Sequence, residues 1–196
     1  MKLLPLLEEI RACTHCAASL PLGPRPIVRA GEGARVLVVG QAPGTRVHAS
    51  GVPWDDASGA RLCDWLGVTR AEFLDPEAFA IVPMGFCYPG KAAAGDAPPR
   101  PECAPMWHPR ILPLLPRVTL TLLIGSYAQA RYLGDRCKRT LTETVRAHAE
   151  YAPAYVPLPH PSPRNALWRA KNPWFEEHCL DVLRDRVQQA LRSPGA

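Results

Sequence analysis

Arg35-Val36-Leu37-Val38-Val39-Gly40-Gln41-Ala42-Pro43-Gly44 is a run of apolar residues that ends in a turn of glycine and proline. A near-continuous apolar run of this length is typical of a strand that is buried on both faces of a parallel sheet. In such sheets, ligands bind beyond the carboxyl ends of the strands. The turn at 40–44 is therefore predicted to border a functional site.

Further apolar runs alternate with helical patterns along the chain. Strands are predicted at 79–83, 118–124 and 154–158, and helices at 3–12, 57–66, 105–115, 126–133 and 173–191, with Asn172 as the N-cap of the last helix. Strands that alternate with helices favour a three-layer α/β fold with a mostly parallel sheet. The loops at 40–54, 84–91 and 159–165 each follow a predicted strand, so we expect all three to border one site.

Length and composition indicate a single domain, 1–196, with a Cys-x2-Cys segment near its N-terminus. The apolar start is broken by Pro5 and followed by two acids, unlike a signal peptide, and no apolar run reaches the ~18 residues of a membrane span. Seven cysteines in such a chain favour the reducing cytoplasm over a disulfide framework. The net charge of +5 suits a polyanionic partner such as DNA, and hence a nucleoid-associated protein.

Four cysteines are candidate ligands of a metal centre. Cys13 and Cys16 form a C-x2-C pair after the first helix, and Cys87 and Cys103 follow with fifteen residues between them. Four thiolates can hold Zn²⁺ or a [4Fe–4S] cluster. Zinc sites usually contain two tight pairs and this chain has one, so a cluster is favoured, with zinc and a metal-free arrangement as alternatives. The remaining cysteines lie at helical positions and are expected to pack as small apolar residues: Cys63, Cys137 and Cys179.

Two further segments carry chemistry. Trp54-Asp55-Asp56 places an aromatic ring beside two carboxylates at the start of a predicted helix, and one of the two acids is expected to be a helix cap. In the segment 159–165, three prolines surround His160 and hold it on a rigid loop, which favours a functional role for this histidine. The turn at 40–44 can present backbone N–H groups to an anion, although a plain tight turn explains it equally well.

Taken together, these segments resemble the uracil-DNA glycosylase superfamily, especially its iron–sulfur branches, families four and five. The similarity extends from about Cys13 to Arg184, and the motifs C-x2-C, Gly-Gln-Ala-Pro-Gly, Pro-Trp-Asp-Asp-Ala-Ser-Gly and His-Pro-Ser occur in the family's order, with Cys87 and Cys103 at its spacing. The resemblance implies a four-stranded parallel sheet between helices and a [4Fe–4S] cluster away from the chemistry. It also implies hydrolysis of the bond between uracil and deoxyribose in DNA, a step of base-excision repair that releases uracil.

The resemblance also implies roles for individual residues. Trp54 lies where family four carries a stacking Phe, Asp56 matches the acid of a family-five motif, and a donor such as His160 would stabilise the departing uracil anion. The predicted catalytic residues are Gln41, Asp56 and His160; the predicted substrate-binding residues are Gly40, Ala42, Trp54, Asp55, Gly85 and Asn165; the predicted DNA contacts are Ser162 and Arg164; and the predicted cluster ligands are Cys13, Cys16, Cys87 and Cys103.

The chain departs from family four at two points. Gln41 replaces a glutamate, so Asp56, or less readily Asp55, would supply the carboxylate. The asparagine that precedes the third cysteine in family four is absent, which leaves backbone groups, Gln41 or Asn165 to recognise uracil. Hypoxanthine, xanthine and other deaminated bases therefore stay open as substrates, and a non-catalytic sensor of uracil-containing or abasic DNA is the alternative function.

The chain is expected to be a monofunctional enzyme and a monomer. No lysine is expected in the pocket loops as a Schiff-base nucleophile, and Lys91 is the nearest, at the far end of the loop after Cys87. The segment after Cys87 also lacks the Arg-rich, His-containing insertion of relatives that trap uracil-DNA covalently. We therefore expect turnover that leaves an abasic site without strand cleavage.

Overall fold

The computed structural model describes residues 2–93 and 95–192. Its strands are β1 (Val36–Val39), β2 (Phe79–Ile81), β3 (Lys91–Ala92), β4 (Gly95–Asp96), β5 (Leu120–Ile124) and β6 (Tyr155–Leu158). Four of them form one sheet in the order β2-β1-β5-β6, and every pairing in this sheet is parallel. The predicted parallel sheet is thus confirmed. The short strands β3 and β4 form a separate antiparallel ribbon that the sequence did not predict.

The helices are α1 (Leu3–Arg11), α2 (Thr45–Ser50), α3 (Ala57–Leu66), α4 (Arg70–Phe73), α5 (Cys103–Ile111), α6 (Ser126–Leu133), α7 (Leu141–Arg146), α8 (Ala166–Lys171) and α9 (Leu180–Arg192). A π-helical turn at Phe175–Cys179 leads into α9. The prediction that Asn172 caps a helix at this point is wrong. Its side chain bridges two tryptophans instead, with Nδ2 donating to the Trp168 carbonyl at 2.8 Å and Oδ1 accepting from the Trp174 indole at 3.1 Å.

Helices cover both faces of the sheet, as predicted for a three-layer fold. Successive side chains of a strand point to opposite faces. Val36 and Val38 of β1 therefore pack with α3 and α9, whereas Leu37 and Val39 pack with α1, α5 and α6. Burial of each such side chain contributes roughly 1.5–3 kcal/mol to the stability of the fold. The sheet thus lies between two hydrophobic cores, one on each of its faces. Among the described helices, none has the length and apolar character to span a bilayer.

A buried histidine ties α5 to the end of β2. His108 is 1% exposed, and its ring nitrogens contact the Tyr132 hydroxyl at 2.7 Å and the Pro83 carbonyl at 3.0 Å. A carbonyl only accepts hydrogen bonds, so Nε2 carries the proton and Nδ1 accepts from the tyrosine. Burial lowers the pKa of His108 from 6.5 to about 4, which keeps the ring neutral in the folded protein.

This histidine should make the stability of the protein depend on pH. Its pKa is about 4 when folded and 6.5 when unfolded, so its contribution is complete above pH 6.5 and is lost as the pH falls towards 4. The loss is on the order of 3 kcal/mol. Urea unfolding between pH 7.5 and 4 should show a shallower decline for His108→Gln than for the natural protein. The exposed His178→Gln serves as the control, and an equal decline in all three proteins would contradict the assignment.

Candidate active site

A pocket of about 440 Å³ lies beyond the carboxyl ends of β1, β2 and β6. This volume falls within the roughly 300–1,000 Å³ of small-ligand sites. Its walls are the turn after β1, the segment before α3, the loop after β6 and the β3–β4 ribbon. The residues from the sequence prediction that line it are Gly40, Gln41, Ala42, Trp54, Asp56, His160, Ser162 and Arg164.

Trp54 packs closely against Gly40, Gly59 and His160. Its ring stacks on the His160 ring with 5.6 Å between centroids and 28° between planes. A methyl group added to Gly40 would lie 2.9 Å from the Trp54 ring, and one added to Gly59 would lie 1.8 Å from the Trp54 carbonyl oxygen. Trp54 itself has a left-handed backbone with φ of 56°. Both glycines are therefore required by how closely Trp54 approaches them.

Asp56 is both a helix cap and a pocket residue. Its Oδ1 accepts a hydrogen bond from the Gly59 N–H at 2.9 Å, at the N-terminus of α3. Its Oδ2 lies on the side of Gly44, in the turn after β1. The expectation that one of the two acids caps the helix is confirmed for Asp56. Asp55 does not line the pocket, because the backbone is extended at Asp56 and neighbouring side chains then point to different sides.

His160 presents a neutral N–H donor to the pocket. The Ser162 N–H donates to its Nδ1 at 3.2 Å, which assigns the ring proton to Nε2. Within the described residues, Nε2 has no hydrogen-bond partner of its own. Burial lowers the pKa of His160, while the nearby charges of Asp56 and Asp96 act in the opposite direction. The ring is therefore neutral at physiological pH, with a fixed tautomer.

The loop that carries His160 is braced from several sides. The Asn165 side chain donates to the His160 carbonyl at 2.7 Å, and Arg61 of α3 donates to the Pro161 carbonyl at 3.2 Å. The Ser162 hydroxyl accepts from the Arg164 N–H at 3.2 Å. Asn165, predicted to bind substrate, does not line the pocket, since its amide group is turned back onto its own loop.

Gly85 lies behind the turn at 40–44, outside the pocket lining. Its N–H donates to the Gln41 carbonyl at 2.9 Å, and a methyl group on Gly85 would lie 3.0 Å from Pro99. The Gln41 side chain donates from Nε2 to the Ala97 carbonyl at 3.0 Å. Gly85 thus supports the turn, and Gln41 connects the turn to the segment that follows β4.

Three charged residues of the pocket were missed by the sequence prediction. Arg46 on α2, Lys91 on β3 and Asp96 on β4 all line it. The expectation that no lysine would reach the pocket is therefore wrong, because the ribbon folds back over the pocket mouth. Strands of two residues have no periodicity that could reveal them in a sequence. Arg46 and Lys91 are exposed and have no ion-pair partner in the part of the chain that the structure describes.

The four predicted ligand cysteines line a second cavity, which shares no lining residue with the pocket. They are Cys13, Cys16, Cys87 and Cys103. None forms a disulfide, and the Phe86 N–H donates to Cys103 Sγ at 3.3 Å. Burial raises the pKa of the Cys16 and Cys87 thiols, and that of Cys103 to about 12. Within 2–93 and 95–192, no group of three or more His, Cys, Asp or Glu side chains is arranged to hold a single metal ion.

A comparison with protein families agrees with this architecture. A model described as the uracil DNA glycosylase superfamily matches residues 29–184, which include the four-stranded sheet, the catalytic candidates, Cys87 and Cys103. Cys13 and Cys16 precede the matched span. The match covers well over half of the chain, so the protein belongs to the uracil DNA glycosylase superfamily, and this membership implies a DNA glycosylase, a DNA-binding hydrolase of DNA repair.

Proposed function

We propose that the protein is a monofunctional uracil-DNA glycosylase that hydrolyses the bond between uracil and deoxyribose and leaves an abasic site. Membership of the superfamily supports a DNA glycosylase, and uracil as its base is the proposal. One observation carries it: the neutral N–H of His160, the carboxylate of Asp56 and the ring of Trp54 converge on one pocket that can hold a nucleotide.

The base reaches the pocket by leaving the DNA helix. A glycosylase must extrude its target nucleotide, because the glycosidic bond is inaccessible inside a duplex. The Trp54 ring, which lines the pocket beside His160, is the proposed stacking partner of uracil. The backbone N–H groups of Ala42 and Gly44 have no acceptor among the described residues, so they are available to the uracil carbonyls. Gln41 also lines this wall.

Bond cleavage builds negative charge on uracil and positive charge on the sugar. The electron pair of the C1′–N1 bond moves onto uracil, and the His160 Nε2–H donates a hydrogen bond to the developing oxyanion at O2. One preorganised donor of this kind contributes about 3–4 kcal/mol to transition-state stabilisation. Asp56 stabilises the cationic sugar through Oδ2, while the bond from Gly59 to Oδ1 keeps the carboxylate oriented.

Basic side chains at the pocket mouth suit the DNA backbone. Arg46, Lys91 and Arg164 line the mouth, are exposed, and have no acidic partner among the residues described. Cations in this position neutralise phosphates and release counterions, which supplies affinity that does not depend on sequence. Ser162, which lies between His160 and Arg164, is the proposed contact to the backbone of the extruded nucleotide.

Base release from a duplex with a single uracil tests this function. Alkali should cleave the uracil strand after incubation with the protein, and a matched hypoxanthine duplex reports how far the pocket accepts other bases. His160→Ala should slow single-turnover release by roughly 100-fold or more, and His160→Gln, which keeps an N–H donor, by less. Asp56→Asn should also slow release but keep the helix cap, because asparagine and aspartate cap equally well.

His178→Ala and Asp185→Asn, two exposed changes away from the pocket, are the controls and should leave the rate unchanged. DNA binding by the slow variants should persist in a gel shift. A natural protein that binds the uracil duplex but releases no base from either duplex would favour the sensor function instead.

We further propose that Cys13, Cys16, Cys87 and Cys103 hold a [4Fe–4S] cluster. The donor set fits: four reduced cysteines line one cavity, and a backbone N–H already points at one sulfur. Each iron of a cluster takes one thiolate, so the four sulfurs need not converge on a single point as they do around zinc. When bound, the cluster would act as a structural cross-link between the end of α1, the loop after β2 and the start of α5.

Replacement of one ligand should remove the metal. Cys87→Ser should lower bound iron and sulfide, abolish the brown colour and reduce the soluble yield, because metal binding and folding are coupled. Cys137→Ser, which changes a cysteine outside the cavity, is the matched control. Full iron content in Cys87→Ser, or stoichiometric zinc in the natural protein, would contradict the cluster.

The proposed hydrolysis leaves no covalent enzyme–DNA intermediate. We expect water rather than Lys91 to attack C1′. Asp56 stabilises the positive charge on the sugar and His160 the negative charge on uracil, so bond cleavage does not require an amine nucleophile. The uracil strand should therefore stay intact until alkali is added, and borohydride should trap no adduct. An adduct that forms with the natural protein and disappears in Lys91→Ala would show that Lys91 acts as an amine nucleophile.

A further inference from the structure

The β3–β4 ribbon brings a second carboxylate to the pocket. Asp96 on β4 lines the pocket together with Asp56, which comes from the segment before α3. One oxygen of Asp56 is occupied by the Gly59 N–H. Neither oxygen of Asp96 has a hydrogen-bond donor or an ion-pair partner among the residues that the structure describes. Both oxygens of Asp96 are therefore available to a water molecule.

Both carboxylates lie close to Gly44, in the turn after β1. A methyl group placed on Gly44 would lie 3.6 Å from Asp96 Oδ2 and 4.0 Å from Asp56 Oδ2. The charge of Asp96 also acts on His160, whose pKa it raises against the effect of burial. Asp96 thus faces the same space as the two groups proposed to act on the leaving uracil and on the sugar.

Gln41 fixes the ribbon in this position. Its Nε2 donates to the carbonyl of Ala97, the residue that follows Asp96, at 3.0 Å. An ionised glutamate at position 41 could not make this bond, because it has acceptors only. It would also add a negative charge next to Asp96. The amide at position 41 and the carboxylate at position 96 therefore fit together as a pair.

Arg164 also borders the ribbon. A methyl group placed on Gly95 would lie 2.7 Å from one guanidinium nitrogen of Arg164. The loop that carries His160 and the ribbon that carries Asp96 thus meet at Gly95. The ribbon is thus held by the hydrogen bond from Gln41 to Ala97 and lies against the Arg164 side chain at Gly95.

We propose that Asp96 is a catalytic residue that accepts the proton of the attacking water, and that Gln41 is the positioning residue that holds it. This inference rests on the proposed function. As the C1′–N1 bond breaks, its electron pair leaves with uracil, and the water oxygen forms a bond to C1′. One water proton moves to Asp96 and then to solvent, while uracil takes up a proton from solvent. One water is consumed, and uracil and an abasic site are formed.

The test compares Asp96→Asn with Asp185→Asn, an exposed carboxylate on α9 that is far along the chain from the pocket. Loss of a general base typically slows a reaction 10²–10⁴-fold, so Asp96→Asn should release uracil at least roughly 100-fold more slowly in single turnover. Its affinity for the uracil duplex should be equal or higher, because a negative charge that faces DNA is removed. Asp185→Asn should match the natural protein in both measurements.

One further variant and one further measurement separate a catalytic role from a structural one. Gln41→Glu restores the glutamate of family four, yet it should slow base release because it displaces the ribbon. A faster Gln41→Glu enzyme would overturn the role of Gln41. In a side-chain NMR titration, Asp96→Asn should lower the pKa of His160 below that of the natural protein, and an unchanged titration would overturn the placement of Asp96 in the pocket.

The failures of the two proposals are distinguishable. A natural protein that releases uracil, with Asp96→Asn within threefold of its rate, would overturn only the role of Asp96. A natural protein that binds the duplex and releases no base would overturn the proposed function, and with it the catalytic role of Asp96.

Discussion

The close packing of Trp54 is the constraint on which the site depends. Its ring covers Gly40, its carbonyl approaches Gly59, and its ring also stacks on that of His160. These contacts join the end of β1, the start of α3 and the loop after β6. A left-handed backbone at a bulky residue costs about 1–3 kcal/mol and persists only where the surroundings enforce it. The two glycines and the stacked histidine provide that enforcement.

The same packing organises the chemistry of the pocket. The chain turns at Trp54 so that Asp56 can cap α3 with one oxygen and present the other to the pocket. On the facing loop, the Ser162 N–H fixes the tautomer of His160 while Trp54 covers its ring. A donor and a carboxylate are thereby oriented before any substrate arrives. Such preorganisation favours catalysis, because the groups do not have to reorient during the reaction.

Local sequence patterns predicted those elements of the fold that are determined by neighbouring residues in the chain. The apolar run at 35–40 marked β1, the acid before α3 marked its cap, and three prolines marked the rigid loop around His160. The four cysteines do line one cavity, as their positions near the ends of predicted elements suggested. Sequence patterns could not choose between Asp55 and Asp56, because that choice depends on the backbone direction at one residue.

The β3–β4 ribbon was not predicted because it depends on contacts between segments that are far apart in the sequence. Its strands have two residues each, and its position depends on the bond from Gln41 to Ala97, which are 56 residues apart. A glutamine in place of a family-four glutamate looked from the sequence like the loss of a catalytic group. The structure shows that this amide holds the segment in which Asp96 lies. The amide at position 41 therefore helps to build the pocket, an effect visible only when both segments are in place.

The loop between Cys87 and Cys103 connects the two sites of the protein. Its ends lie in the cysteine cavity, and its middle supplies Lys91 and Asp96 to the pocket. Bringing the two ends of a flexible loop together costs conformational entropy. This cost does not recur for the middle of the loop once both ends are held in place. On the proposed assignment, a cluster bound to both cysteines would fix these ends. The hydrogen bond from Gln41 would then need to restrain only the short ribbon between them. A cluster remote from the reaction would in this way contribute to catalysis by limiting the positions that Asp96 can occupy.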